Sequence, residues 1–355
     1  MGLITYYLRK LFKLFLGEVL VLPSRIAVLV FIFALLLLPV YTQDPYLLRI
    51  LILTSIFAIF AASWDLLSGF TGQVNFGHAL FFGVAAYTSA LVNIRFGVPH
   101  WVSIPLGGLA AVLAGLIIGI PCLRLRGTYL ALTTLAFPII LLGVVFAFPD
   151  FTGGELGVSG LTRLSKSRVY DYYICVGLML VLGFIMWKIT DSKTGIIFHA
   201  IREDEVAVRA GGINTTRYKL LAFCLSGFFA GISGGLYAHI MRTVGPSTLE
   251  VSMSFQVIIW SVFGGIVSIY GPIAGVFILF PLTELLRNLP VLFGRIDLSE
   301  LRLLIFAFLV LLTLLFMPEG LIPRLRDIVE KECPRCKVRS VALRKTCRVC
   351  TASLR

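Results

Sequence analysis

The sequence predicts an all-α polytopic membrane protein of about eight to ten transmembrane helices, ending in a small cysteine-rich tail. Three observations carry that expectation. The 355 residues are 58% hydrophobic and only 14% charged, with a mean hydropathy of +0.96, whereas soluble domains are near half apolar and about a quarter charged. Apolar runs approaching the roughly 20 residues that cross a bilayer recur along the chain. Four of the seven cysteines, Cys333, Cys336, Cys347 and Cys350, crowd near the C-terminus, while Cys122, Cys175 and Cys224 sit singly in apolar runs, where a buried thiol is the ordinary expectation.

The elements follow in chain order. Residues 1–25 carry Arg9, Lys10, Lys13 and Arg25 and no small-residue cleavage site after an apolar stretch, so they are expected to form a cytoplasmic segment and not a cleaved signal. Candidate spans lie near 26–40, 47–68, 76–94, 101–120, 129–148, 172–190, 218–241, 253–268, 272–289 and 301–317. Several are short or interrupted by glycine, which leaves open eight or nine full spans plus a re-entrant piece. With the N-terminus inside and every segment crossing, most of the 31 lysines and arginines fall on the cytoplasmic side. These include Arg124, Arg126 and the run from Lys188 to Lys219. The positive-inside bias then places both termini and the loop 191–217 in the cytoplasm. The domain organisation expected is a cytoplasmic segment 1–25, a transmembrane domain 26–323 and a basic cytoplasmic tail 324–355. The net charge of +13 therefore reports topology, and the lipid bilayer, not nucleic acid, is the expected partner.

Some stretches are not ordinary membrane helix. In "GFTGQVNFGHALFFG", glycines alternate with Thr71, Gln73, Asn75 and His78. Irregular polar backbone in hydrocarbon must be shielded by protein or line a watered cavity, and broken helices of this kind build transport pathways. The alternative is a tight turn with His78 near the start of the next helix. No second ligand stands at helical spacing from His78, so a metal there is not expected. Gly227, Gly231 and Gly235 repeat every four residues, which lines them on one face where two membrane helices can approach closely. "PDFTGGELGVSGL" reads either as a structured loop at the outer mouth of a pathway or as a solvated turn. Glu284 and Arg287 have the spacing to pair or to snorkel. Asp65, beside Trp64, is the one acidic residue placed to lie below the interface, and a single carboxylate is thin support for proton coupling.

The charged stretch "HAIREDEVAVRAGGINTTRYKL" interrupts this apolar chain. Residues 200–210 have good helix propensity, with Glu203, Asp204 and Glu205 toward the N-terminal end and Arg209 toward the other, as the helix dipole favours. Gly211 and Gly212 stop that helix, and Asn214 or Thr215 can cap the next. So short a helix needs something to dock on, either a partner or its own protein and the lipid headgroups. No G-x-x-x-x-G-K-[ST] phosphate loop occurs, so the chain does not hydrolyse ATP by that route, and no H-E-x-x-H catalytic pattern appears.

Six blocks in order resemble the permease subunits of branched-chain amino acid ABC transporters of the LivM type. They are "SGFTGQVNFGHALFFGVAAYTSALV", "LRLRGTYLALTTLAF", "FTGGELGVSGL", "SKTGIIFHAIREDEVAVRAGGINTTRYKLLAFCLSGFFAGISGGLYA", "FGGIVSIYGPIAG" and "LRLLIFAFLVLLTLLFMPEGLIP", together running from about residue 45 to 323. The resemblance implies an ABC importer permease fold, a second related permease subunit, two cytoplasmic ATPase subunits that bind the ATP, and an external substrate-binding protein, in the inner membrane of a prokaryote. It also implies that residues 200–212 form the segment coupling the permease to its ATPases. Arg202, Glu203, Asp204, Glu205, Ala207, Gly211 and Gly212 match that segment, and Glu205, Ala207 and Gly211 follow the E-A-A-x-x-x-G pattern of importer permeases. Branched-chain or other hydrophobic amino acids are the implied cargo; urea, amides and aromatic acids are carried by similar systems. A secondary transporter, or a membrane scaffold or sensor built around the tail, remains the reading from another class.

Family members generally stop soon after the "MPEGL" block. This chain continues with "CPRCKVRSVALRKTCRVC", a C-x2-C-x10-C-x2-C arrangement. Cys333, Cys336, Cys347 and Cys350 can supply four thiolates to a tetrahedral zinc ion, and a cytoplasmic tail keeps them reduced. Two redox pairs or a basic disordered tail are the alternatives.

Overall fold

The computed structural model describes residues 23–122, 125, 127–288, 307–308, 311–312, 315–317, 319–333, 336, 339–341 and 350. Most of the tenth candidate span, together with Arg124, Arg126, Cys347 and the Arg287 side chain, lies outside the described residues. The chain forms two compact units, one from its two ends (to Gln43 and from Leu321) and one from Asp44–Gly320.

In the larger unit, helices run α2 (Pro45–Trp64), α3 (Ala79–Phe96), α4 (His100–Cys122), α5 (Thr128–Ala147), α6 (Arg168–Thr190), α7 (Lys193–Glu203), α8 (Glu205–Ala210), α9 (Thr215–Met241), α10 (Val251–Gly264) and α11 (Tyr270–Asn288). The end unit holds α1 (Pro23–Tyr41) and α12 (Leu321–Val329). Among the described residues, seven helices are long and apolar enough to cross a membrane: α1 to α6, with α2 extended to Gly69, and α9. They coincide with the first seven candidate spans. The eighth candidate behaves differently. As the 14-residue α10 it extends only about 21 Å, short of a hydrocarbon core of about 30 Å. That length favours the re-entrant alternative at this position.

Helix α2 shows why the larger unit holds together. Asp44 caps it, its Oδ1 accepting the Tyr46 N–H at 3.0 Å, and Pro45 fits the first turn because its missing N–H has no helical partner there. Apolar residues then surround the helix on all sides, the pattern of a helix enclosed by others, and nearly every residue from Leu48 to Trp64 is buried. Its hydroxyls do not oppose this. Thr54 and Ser55 donate to the carbonyls of Ile50 and Leu51 at 2.7 and 2.8 Å, so no polar atom of theirs is stranded.

Helices α3, α4 and α9 pack as a close trio. Between apolar helices in lipid, association rests on dispersion and close backbone approach. Glycine supplies that approach here. A Cβ at Gly231 would crowd Ala111 and Gly108 at 2.8 Å, one at Gly235 would meet Ile104, and one at Gly227 would press Phe81. The tightest approach in this row is at Gly234, where a Cβ would run into the Phe82 carbonyl oxygen. By contrast α4, α5 and α6 expose apolar side chains such as Ile117, Leu132 and Phe184, a surface suited to lipid or to another membrane chain.

At one end of the larger unit, strand β1 (Val158–Ser159) pairs antiparallel with β2 (Thr243–Val244). The loop beginning at Pro149 is structured: Arg95 Nη2 donates to the carbonyls of Asp150 and Phe151 at 3.2 and 3.1 Å, and its guanidinium lies 4.1 Å from the centre of the Phe151 ring. In the end unit, β3 (Glu330–Glu332) pairs with β4 (Arg339–Val341), and the Ser24 N–H donates to buried Glu330 Oε1 at 3.0 Å. The start of α1 is thereby fastened to β3 within this unit.

Candidate functional site

The charged loop folds as two helices where the sequence predicts one over 200–210. Ser192 caps α7, its hydroxyl accepting the Thr194 N–H at 3.2 Å. The helix ends at Asp204, whose backbone turns extended (φ −153°, ψ 100°). Asp204 then caps α8, with Oδ1 accepting the N–H groups of Val206 and Ala207 at 2.8 and 3.0 Å. An Asp in mid-run competes for backbone N–H groups, and here that competition breaks the helix. Gly211 closes α8, and Gly212 (φ +81°) takes the left-handed turn that other residues resist. Asn214 caps α9 by accepting the Arg217 N–H at 3.2 Å.

Glu205 fixes the direction of α8. Its Oε2 takes the Lys219 ammonium at 2.7 Å, and its Oε1 takes Arg209 at 2.8 Å and the Thr215 hydroxyl at 3.2 Å. The carboxylate that matches the importer motif is therefore turned inward, onto the first turns of α9. Glu203, Asp204, Val206, Ala207, Arg209, Ala210, Gly211 and Gly212 are left exposed, so α8 presents a largely small and apolar crest. Arg202 points elsewhere: its Nη1 donates to the Gly69 carbonyl at 2.7 Å. Beside it, burial and the Arg202 charge hold His199 below the ordinary imidazole range, so near neutral pH this helix contributes no histidine charge.

The second polar segment begins where α2 widens into a π turn, Asp65–Gly69. Thr71, Gln73, Asn75 and His78 are all buried. Three of them are committed to their own surroundings. The Thr71 hydroxyl donates to the Leu67 carbonyl at 2.6 Å, and Asn75 Oδ1 accepts the Gly77 N–H at 2.8 Å. His78 Nε2 lies 2.9 Å from Ser63 Oγ, whose own proton goes to the Phe60 carbonyl. Nε2 must then be the protonated nitrogen. Gln73 differs: neither polar atom of its amide has a hydrogen-bond partner among the described residues. The sequence missed the residues that fasten this segment. Trp64 Nε1 donates to the Asn75 carbonyl at 2.8 Å, Thr134 Oγ1 accepts the Phe76 N–H at 3.1 Å, and Ser254 Oγ accepts the Ala79 N–H at 2.9 Å. Hydroxyls on separate helices carry no local pattern, so only the fold reveals them.

In the end unit, Cys333, Cys336 and Cys350 place their sulfur atoms within 4.8 Å of one another, with Cys333 buried. Such a cluster can hold a metal ion. The fourth cysteine of the pattern, Cys347, lies outside the described residues.

Comparison with known proteins bears on this arrangement. Residues 46–315 match the model of the family described as branched-chain amino acid transport system / permease component. The high-affinity branched-chain amino acid transport system permease protein LivM of Salmonella typhimurium is 31% identical over 303 residues, covering 77% of this chain and 69% of that one. The ribose import permease protein RbsC of Haemophilus influenzae is 26% identical over 64% of this chain and 71% of its own. Among solved structures, PsaBC of Streptococcus pneumoniae aligns over 80% of this chain and 96% of its own at 16% identity and a TM-score of 0.44, too loose a likeness to bear on the fold. The family match spans α2 to α11, with the π turn, the polar segment and the α7–α8 loop all inside it, and so this chain is an integral membrane protein belonging to the branched-chain amino acid ABC transporter permease family.

Proposed function

We propose that this chain is the membrane-spanning subunit of an ATP-driven importer for branched-chain or other hydrophobic amino acids, driven by separate ATPase subunits through α8. The observation that carries the reading is the exposed α8 crest, pinned at its base by Glu205 in a chain that has no phosphate loop of its own. A short rigid element held on a longer helix can pass on a rigid-body displacement. A second related permease covers part of the exposed apolar belt, and an external binding protein delivers the solute to the opposite end. Both termini and the α7–α8 loop lie on the cytoplasmic side of a prokaryotic inner membrane. Thr71, Asn75 and His78 build the frame of the solute pathway, and Gln73 offers it an amide with no hydrogen-bond partner among the described residues. The likeness to a ribose permease keeps other polar-ended solutes, including urea, amides and aromatic acids, as the second reading of the substrate.

Purification of the tagged chain from its native membrane tests this reading. The expected result is co-purification of two ATPase subunits and a second permease, with ATP-dependent leucine uptake once reconstituted. Ion-driven leucine uptake by the lone chain overturns it in favour of a secondary transporter.

The C-terminal thiolates are proposed to take zinc. A tetrahedron of Zn–S bonds of about 2.3 Å has edges of about 3.8 Å, and the 3.4 Å between Cys333 Sγ and Cys350 Sγ is close to that edge. Metal analysis of the purified chain should give one zinc per chain, reduced to none in Cys333→Ser. Absence of zinc after mild, chelator-free purification removes the assignment.

A further inference from the structure

Asp65 is fully buried at the start of the π turn, and its carboxylate reaches across to the break between α10 and α11. Oδ1 accepts the Val267 N–H at 2.8 Å and Oδ2 accepts the Ser268 N–H at 3.0 Å. The break is itself unusual. Val267 holds φ at +65°, a left-handed conformation that a β-branched residue adopts only where its surroundings impose it. Two backbone N–H groups fixed by one carboxylate are such surroundings.

The same π turn is held from its other side. Its last carbonyl, on Gly69, accepts Arg202 Nη1 at 2.7 Å, and Arg202 stands in the final turn of α7, two residues before Asp204 caps α8. Gly69 has no room for a side chain, because a Cβ there would run into Asp65 Oδ1. One turn of helix thus carries both attachments, the α7 guanidinium at one end and the α10–α11 break at the other. Turns of this kind occur mostly as single turns inside α-helices and are frequent at functional sites. A chain of direct bonds between the α7–α8 loop and a strained break is one physical route by which the two can be coupled.

We propose that Asp65 is a positioning residue for transport: it ties the α10–α11 break to the π turn gripped by Arg202, so that displacement of the α7–α8 loop moves the break as well. This rests on the reading of α8 as the coupling helix.

The test is the ratio of leucine taken up to ATP hydrolysed by the intact complex in proteoliposomes. Asp65→Ala should lower that ratio about tenfold, within the usual range of coupling between sites. Asp65→Asn, which keeps one acceptor, should restore part of it. Arg202→Met should lower the ratio on its own and add little to Asp65→Ala, as expected for two members of one path. A wild-type ratio in Asp65→Ala, or in Asp65→Ser where the alanine variant does not fold, overturns the proposal. Gly211→Leu, on the α8 crest, separates the two ideas. If it uncouples while Asp65 variants do not, only the Asp65 link falls; if it couples normally, the reading of α8 falls with it.

Discussion

Two carboxylates in this protein each hold a break in the chain, and they do so with opposite kinds of partner. Asp65 sits in the interior and accepts two backbone N–H groups. Glu205 sits at the edge and gathers the ends of Lys219, Arg209 and a threonine hydroxyl. Backbone donors are fixed in space and shielded from water, so the Asp65 attachment is stiff. Long cationic side chains lose entropy to form their bonds, and the exposed Arg209 end remains open to screening, so the Glu205 attachment is softer. The difference suits the proposed coupling, in which an ATPase re-seats the surface helix and the interior link passes the movement on.

The sharpest way to break this comparison is to remove each carboxylate and measure thermal unfolding in detergent. Asp65→Ala strands two buried N–H groups, each worth about 1–3 kcal/mol. Glu205→Ala breaks an exposed pair to Arg209 and leaves the mostly buried Lys219 ammonium without its carboxylate, so it should cost about 1–3 kcal/mol. A larger loss at Glu205 would invert the comparison.

A smaller effect comes from salt. Raising ionic strength from about 0.1 to about 1 M shortens the screening length from about 10 to about 3 Å. The stability difference between wild type and Glu205→Ala should shrink across that range, while the difference at Asp65 should hold. The readout is the unfolding midpoint at each concentration, and equal salt dependence would erase the distinction.

The smallest expected effect on folding is at Gln73. Leucine fills a similar volume and removes two polar atoms that have no partner among the described residues, so Gln73→Leu should change stability by no more than about 0.5 kcal/mol, in the stabilising direction. Its effect should appear in the leucine concentration giving half-maximal uptake. Marked destabilisation would mean that the amide is a structural anchor like Asp65, and would remove it from the pathway.

Much of this was legible in the sequence at the level of elements. The first seven apolar runs coincide with the seven long helices found among the described residues because hydrophobic length responds to a bilayer of nearly fixed thickness. The caps at Asn214 and the stop at Gly211–Gly212 were legible because they act through neighbouring backbone. The single helix expected over 200–210 was not what formed, since Asp204 gains more by capping the next turn than by extending the last. Asp65 read as a candidate for proton coupling of slight support, because its partners lie some 200 residues away in sequence.

The sequence by itself determined the solvent this protein lives in, the approximate limits of the seven long helices among the described residues, and the place of a charged loop among them. Those properties depend on local composition, which water and lipid sort without reference to the rest of the chain. Only the tertiary structure decided that Glu205 faces inward, that Gln73 is the buried amide left without a partner among the described residues, and that Asp65 joins α2 to a break near the other end of the unit. Each of these depends on which backbone N–H or side chain arrives from a distant helix, and hydropathy is blind to that.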